Sequence, residues 1–236
     1  MGTHEEICIM DKKSFEKVSK LIDKNNINIE HFHNAKVVES KYPELHWKGN
    51  ARMSNLDETM SYVDPKGIFL EFGVYSGNTI NFVADAFPKN TLYGFDSFEG
   101  LPEEWQLNEK KIIPKGYFHR DTLPKVRSNV KLIKGWFDQT IPTFLKEHNF
   151  DYISFLHIDC DLYSSTKTIF NNLNDKIQVG TVITFDELYP WTNYKWFRTW
   201  QEHEFKALKE WINEYNRSFK ILNRSNHCQT SIIITS

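Results

Sequence analysis

From Ile68 onward the chain alternates short apolar runs with stretches whose apolar residues recur every three or four positions. The runs Ile68–Phe72, Thr91–Phe95, Val130–Lys134, Tyr152–Ile158 and Val179–Phe185 predict strands, and Phe219–Leu222 and Thr230–Thr235 predict two more. Between them, helical spacing predicts helices over 78–87, 141–148, 164–173 and 196–215. Pro88 stops the first of these, and Leu208, Trp211, Ile212 and Tyr215 form a stripe along the last. Upstream, Phe15, Val18, Leu21 and Ile22 predict a helix from Ser14 to about Lys24, and residues 55–63 read as another, ended before Pro65. Residues 25–49 are polar and weakly periodic, and their His31, His33 and His46 read as solvated or structural. Residues 97–125 hold too much Gly, Pro and charge for a simple crossover, so they are expected to form a mobile wall of a cleft.

Strands and helices in alternation predict an α/β fold, a doubly wound, mostly parallel sheet with helices on both faces. The turn between the last two runs is too short for a crossover helix, so that pair is antiparallel. No repeat or linker divides the 236 residues, which suffice for one domain with a sizeable core. The 18 Phe, 10 Tyr and 7 Trp supply enough rings to line a ligand cleft as well as a core. A formal net charge of -2 offers nothing to nucleic acid or an acidic membrane surface. Cys8, Cys160 and Cys228 show neither metal-site spacing nor a disulfide framework, which fits a reducing compartment. Glu5 and Glu6 stand where a signal peptide is positive, and no run is long enough to cross a bilayer, so the cytoplasm is the expected location.

The chemistry gathers at strand ends. Ile68-Phe-Leu-Glu-Phe-Gly-Val-Tyr-Ser-Gly-Asn-Thr79 is a strand, a glycine turn and a helix start; Tyr93-Gly-Phe-Asp-Ser97 ends the next strand in an acid. That order makes a nucleotide-type cofactor site, with glycines for close approach and Asp96 to accept bonds from ribose hydroxyls. Asp159 and Asp161 close the fourth strand, Asp186 and Glu187 the fifth. Parallel sheets bind ligands beyond these carboxyl ends. Asp159, Asp186 and Glu187 can converge, and carboxylates so close need a hard cation such as Mg2+ to neutralise them. Asp161 can instead cap the following helix. His157 shares a face with Asp159, as a base or as a packed histidine. Gly135 allows close ligand approach, Trp136 or Phe137 can stack on a flat ring, and Trp191, Tyr194 and Trp196 can cover a sugar or aromatic acceptor.

These segments resemble the class I S-adenosylmethionine-dependent methyltransferases, specifically the metal-dependent sugar O-methyltransferases of the macrocin/mycinamicin type. The likeness rests on Ala51-Arg-Met-Ser-Asn-Leu56, Glu71-Phe-Gly-Val-Tyr-Ser-Gly77, Gly94-Phe-Asp-Ser-Phe-Glu-Gly-Leu-Pro102, Gly135-Trp-Phe-Asp-Gln-Thr-Ile-Pro142, Ile158-Asp-Cys-Asp-Leu-Tyr-Ser-Ser-Thr166 and Phe185-Asp-Glu187. It implies a seven-stranded sheet of order 3-2-1-4-5-7-6, with residues 1–64 as a helical extension able to cover the cleft and 65–236 as the methyltransferase domain. It implies S-adenosylmethionine held by Glu71, Gly73, Tyr75, Ser76, Gly77, Thr79, Asp96, Ser97, Gly135, Trp136 and Phe137. It further implies Mg2+ or another hard cation on Asp159, Asp186 and Glu187, and Asp159, Asp161 or His157 as proton acceptor. The implied acceptor is a sugar or glycan with vicinal oxygens, touched by Tyr163, Trp191 and Tyr194. Glu187 departs from the family's usual aspartate there. A homo-oligomer, with the N-terminal segment packed across a partner, is compatible with the resemblance. Asp159-Cys-Asp161 also looks like the element by which glycosyltransferases hold a metal and a nucleotide sugar, and a noncatalytic binding module is a third reading.

Overall fold

A computed structural model of the chain describes residue 27, residues 29–190 and residues 195–236. Cys8, the helix expected at 14–24, and Trp191 and Tyr194 lie outside the described residues. In chain order the elements are α1 (Ile29–His33), α2 (Trp47–Met60), β1 (Ile68–Phe72), α3 (Asn78–Ala86), β2 (Leu92–Asp96), β3 (Trp105–Asn108), β4 (Lys111–Ile113), β5 (Val130–Lys134), α4 (Phe137–Glu147), β6 (Ile153–Ile158), α5 (Tyr163–Leu173), β7 (Val182–Phe185), α6 (Glu204–Tyr215), β8 (Phe219–Arg224) and β9 (Thr230–Ile234). The main sheet runs β5-β2-β1-β6-β7-β9-β8, which, counting its strands along the chain, is the expected 3-2-1-4-5-7-6. β9 is antiparallel to both neighbours, and the other pairings are parallel. No helix among the described residues is long and apolar enough to cross a membrane.

Strand alternation divides the core. Leu70, Phe72, Leu156 and Ile158 face the layer of α1, α4, α5 and α6. Phe69 and Phe155 face the layer of α2 and α3, with Leu56, Ile80 and Val83. The Phe72 ring, fully buried, stacks on Phe95 at 4.6 Å between centroids; burying such a side chain contributes about 1.5–3 kcal/mol.

On the α2 face the same alternation carries a polar row across the sheet. Glu71 is in register with His157, His157 with Thr184, Thr184 with Ser231, and Ser231 with Asn223. Thr184 and Ser231 hydroxyls are 2.9 Å apart. From α2, the Asn55 amide and the Thr59 hydroxyl donate to Ser231 Oγ at 2.9 and 2.7 Å. Few apolar side chains of α2 reach the core; Asn50, Ser54, Asn55 and Thr59 are buried beside Ala51 and Leu56. This helix is therefore seated by hydrogen bonds more than by a hydrophobic stripe. Its start differs from the reading of 55–63, because Lys48, Gly49 and Asn50 break the apolar periodicity of its first turns. Helix α6, by contrast, starts later than expected, at Glu204 rather than near Trp196, because Phe197 and Trp200 are buried elsewhere.

The segment 97–125 contains an antiparallel hairpin, β3–β4, that the sequence pattern did not show. Trp105 packs edge-on against Phe197 at 5.5 Å, and the Arg198 amide donates to the Leu107 carbonyl at 2.8 Å. Hairpin and post-β7 segment thus form one wall over the carboxyl edge of the sheet. Replacing Ser231 by Ala is expected to lower stability by about 1–3 kcal/mol, because Asn55, Thr59 and Thr184 each lose a buried partner; chemical denaturation checks this, and an unchanged midpoint would mean that the polar row does not hold α2.

Candidate functional site

The wall and the strand ends enclose a cleft of about 810 Å3. Its donor half is the turn after β1. Gly73 has φ +94°, and a Cβ there would lie 1.8 Å from the carbonyl oxygen of Asp159, so only glycine fits between β1 and β6. Gly77, at φ +78°, starts α3. Asp96 ties this turn down: one carboxylate oxygen accepts the Val74 and Tyr75 amides at 2.9 and 2.8 Å, and the other accepts Phe98 N–H at 2.7 Å. About four lone-pair sites serve a carboxylate, so roughly one remains for a ligand hydroxyl. Tyr75, Phe98, Phe118 and Asp161 all hold positive φ between 45° and 71° around the cleft. Non-glycine residues so placed cost about 1–3 kcal/mol each, the kind of strain that gathers at ligand sites.

Of the expected cofactor residues, Gly73, Tyr75, Ser76, Thr79, Asp96, Ser97, Trp136 and Phe137 line the cleft. Glu71, Gly77 and Gly135 do not. Glu71 is buried beneath the turn, accepting the Thr79 hydroxyl at 2.9 Å and lying 2.9 Å from His157 Nδ1. It links α3, β1 and β6 from below.

The other half has an acidic floor. Asp159, Asp161 and Glu187 line it, with carboxylate oxygens all within 4.8 Å of one another; His157, Asp159 and Asp186 form a second such group. Asp186 and Glu187 therefore stand with Asp159 in separate groups rather than in the single trio expected from the sequence. Asp186 is enclosed, accepting the Gln229 amide at 3.1 Å. His157 is fully buried, and its Nε2 has no hydrogen-bond partner. Behind the floor, Glu204 accepts the Glu187 amide at 3.1 Å, while Glu204 Oε1 and Glu187 Oε2 are buried without partners.

Arg52 answers this charge. Its guanidinium contacts Asp186 and lies 3.3 Å from Asp159 Oδ2. Reading the sequence placed Arg52 in a family segment but gave it no role, since its partners lie on distant strands. Burial pushes the Asp159 carboxyl up to about 7; Arg52 and His157 oppose the rise, while Asp186 and Glu71 add to it. Burial, then neighbouring negative charge, holds Asp161, Glu187 and Glu204 well above the usual carboxylate range. Burial works against ionised Asp186 too, but Arg52 and His157 hold it below its usual value. Hard oxygen donors, close together, under-neutralised and partly orphaned, suit a divalent cation.

Among residues assigned to the acceptor, Tyr163 stands away from the cleft, its hydroxyl donating to Glu210 at 2.7 Å. Trp196 does line it, with Lys48, Trp105, Lys111 and His227, none of which sequence reasoning singled out. Lys48 and Lys111 carry no motif, and only the hairpin and the N-terminal turns of α2 bring them here.

A methyltransferase domain family matches residues 70–188. The solved structure of CalS11, a calicheamicin methyltransferase, is 20% identical with TM-score 0.60, over 99% of this chain and 98% of that one. NovP, an O-methyltransferase, is 19% identical with TM-score 0.58, over 94% of this chain and 99% of that one. An apo structure of CalS11, described as a TDP-rhamnose 3'-O-methyltransferase, is 20% identical with TM-score 0.56, over 98% and 96%. At these identities the likeness is one of fold. No curated protein matches the sequence.

Raised carboxyl pKa values make ionisation unfavourable to the folded state, so their contribution to stability is complete below about pH 4 and is lost as pH rises through about 7 for Asp159. A cation on the floor cancels that loss. The melting temperature of Mg2+-loaded protein should therefore exceed that of chelated protein by a margin that widens from pH 6 to pH 8; a margin constant with pH would show that these carboxylates hold no cation. Groups remote from the floor, titrating alike in both samples, drop out of the difference.

Proposed function

We propose, from the premise that this chain belongs to the methyltransferase domain family, that it transfers a methyl group from S-adenosylmethionine to a hydroxyl of a sugar, assisted by Mg2+ or another hard divalent cation. The observation that carries this reading is the acidic floor of Asp159, Asp161 and Glu187 opening into the same cleft as the glycine turn and Asp96. A glycosyltransferase would use Asp159 and Asp161 for a nucleotide sugar, but family membership and the turn before Asp96 favour methyl transfer. The names of the similar structures, an O-methyltransferase and a TDP-rhamnose 3'-O-methyltransferase, support an oxygen nucleophile on a sugar.

The residues fit the donor. The remaining acceptor site of Asp96 suits a ribose hydroxyl, Trp136 and Phe137 offer ring faces, and Tyr75 and Ser76 border the turn. The donor supplies a methyl group on a sulfonium, and a cation at Asp159, Asp161 and Glu187 would acidify a hydroxyl beside it.

The protein's own part is orientation and proton handling. Asp159 lines the cleft and is the carboxylate placed to take the hydroxyl proton; because a cation on the same carboxylate would weaken it as a base, acidification of the hydroxyl would carry most of that transfer. His157, enclosed below and engaged with Glu71, serves to position rather than to touch an acceptor. Arg52 keeps Asp159 and Asp186 side by side. Holding hydroxyl and methyl in line supplies much of the rate.

With labelled methyl donor and a panel of glycosides, label should reach sugar in the presence of Mg2+ and stop on chelation. Asp159→Asn should lower kcat roughly hundredfold or more while donor affinity stays close to that of the parent; undiminished turnover would remove Asp159 from the chemistry. Asp96→Ala should raise the donor Kd at least about tenfold, since it unties the Val74 and Tyr75 amides as well as the ribose contact; unchanged affinity in calorimetry would contradict that role.

A further inference from the structure

The acceptor side of the cleft carries a charge of the opposite sign to its floor. The ammonium of Lys48, on α2, lies 4.9 Å from the ring centroid of Trp196, and the ammonium of Lys111, on β4, lies 5.6 Å from the same centroid. Both lysines and Trp196 line the cleft. Among the described residues neither lysine forms a salt bridge with a carboxylate, and the first turn of α2 contains no acid. Both lysines are exposed, so the cleft wall at Trp196 presents two positive charges to an anion entering from solvent.

Resting on the reading of sugar methylation, we propose that the sugar acceptor carries a phosphate or diphosphate group, held between Lys48 and Lys111 at the Trp196 wall while its hydroxyls face Asp159, Asp161 and Glu187. A phosphate group presents several oxygens and so can meet two separate ammoniums, which bind it as point charges. The donor's own carboxylate is a poor alternative occupant. The residues proposed for the donor lie at the turn after β1 and at Asp96, whereas Trp196 follows β7 and Lys111 sits on the hairpin. The acidic floor repels the same group, so the two ends of the cleft fix the direction in which an anionic sugar enters.

The test is calorimetric binding to the full chain, with Mg2+ and S-adenosylhomocysteine present, of uridine diphosphate glucose, glucose 1-phosphate, glucuronic acid and methyl glucoside. At least one phosphorylated ligand should bind ten-fold or more tightly than methyl glucoside, and this preference should collapse in the double variant Lys48→Gln, Lys111→Gln and weaken with added salt. Tight binding of uridine diphosphate glucose alone assigns a nucleotide-linked sugar, and equal binding of glucose 1-phosphate assigns a sugar phosphate. Binding of methyl glucoside as tight as either, glucuronic acid matching them, no binding at all, or a preference that survives in the double variant overturns the proposal. A double variant that loses affinity for S-adenosylmethionine also overturns it, since the lysines would then serve the donor. Methyl transfer to neutral glycosides without phosphate preference removes this inference and leaves sugar methylation standing; no transfer to any glycoside, sugar phosphate or nucleotide-linked sugar removes sugar methylation itself.

Discussion

Negative charge buried at one edge of the sheet is the constraint around which this molecule is built. Glu71, Asp159, Asp161, Asp186, Glu187 and Glu204 converge within or just below the cleft, most of them nearly out of contact with water. Such charges are costly unless they are paired, neutralised or protonated. The protein uses all three remedies. Arg52 bridges Asp159 and Asp186, His157 meets Glu71, and the carboxyls left over hold their protons far more firmly than free ones. The position of Arg52 then depends on α2, and α2 depends on the bonds of Asn55 and Thr59 to Ser231. A hydroxyl on the antiparallel strand β9 thus helps to set the charge balance of a floor built by β6 and β7.

Backbone contact couples the two halves of the cleft. Gly73 lies so close to the Asp159 carbonyl that the turn which would hold the donor and the strand end which bears the floor cannot move independently. The Asp159 amide donates to the Phe72 carbonyl at 2.9 Å, and the Gly73 amide to the Phe95 carbonyl at 2.9 Å, so β2, β1 and β6 are pinned at the same level. Asp96 adds the Val74, Tyr75 and Phe98 amides to that anchor. In-line transfer needs donor and acceptor set within a fraction of an ångström, and a shared rigid edge is a direct way to provide it.

Much of this was legible before any coordinates, for a physical reason. Strands β1, β2, β6 and β7 are buried on both faces, so they read as apolar runs, and their terminal acids stand out against them. The sheet order followed from family resemblance and the short last turn. What escaped notice has equally definite causes. The β3–β4 hairpin hides among Gly, Pro and charged residues, because one side of it faces solvent. The first turns of α2 are polar on the buried side, so hydrophobic periodicity could not reveal them. Arg52 was visible as a residue but not as a counter-ion, since both of its carboxylates are more than a hundred positions away. Glu71 was legible as an acid at the turn, yet its burial and its bond to His157 required the strand register. Tyr163 lay in the right segment, but the first turn of α5 directs it to Glu210 on α6.

The cleft keeps its two signs of charge apart. Arg52 compensates only part of their charge, and Lys48 and Lys111 stand at the Trp196 wall rather than in salt bridges with them. Had those lysines descended to the floor, the carboxylates would be neutralised by side chains, and neither a cation nor an anionic ligand would find a vacant partner. Trp196 instead gives the ammoniums a ring face to rest on, an attraction of about 0.5–1 kcal/mol at exposed sites. The Asn108 amide donates to the Trp196 carbonyl at 2.9 Å, which ties the hairpin to the segment that carries the ring. Separation of the two signs is thereby a property of the fold, since α2, the hairpin and the segment after β7 bring both lysines beside one uncharged ring.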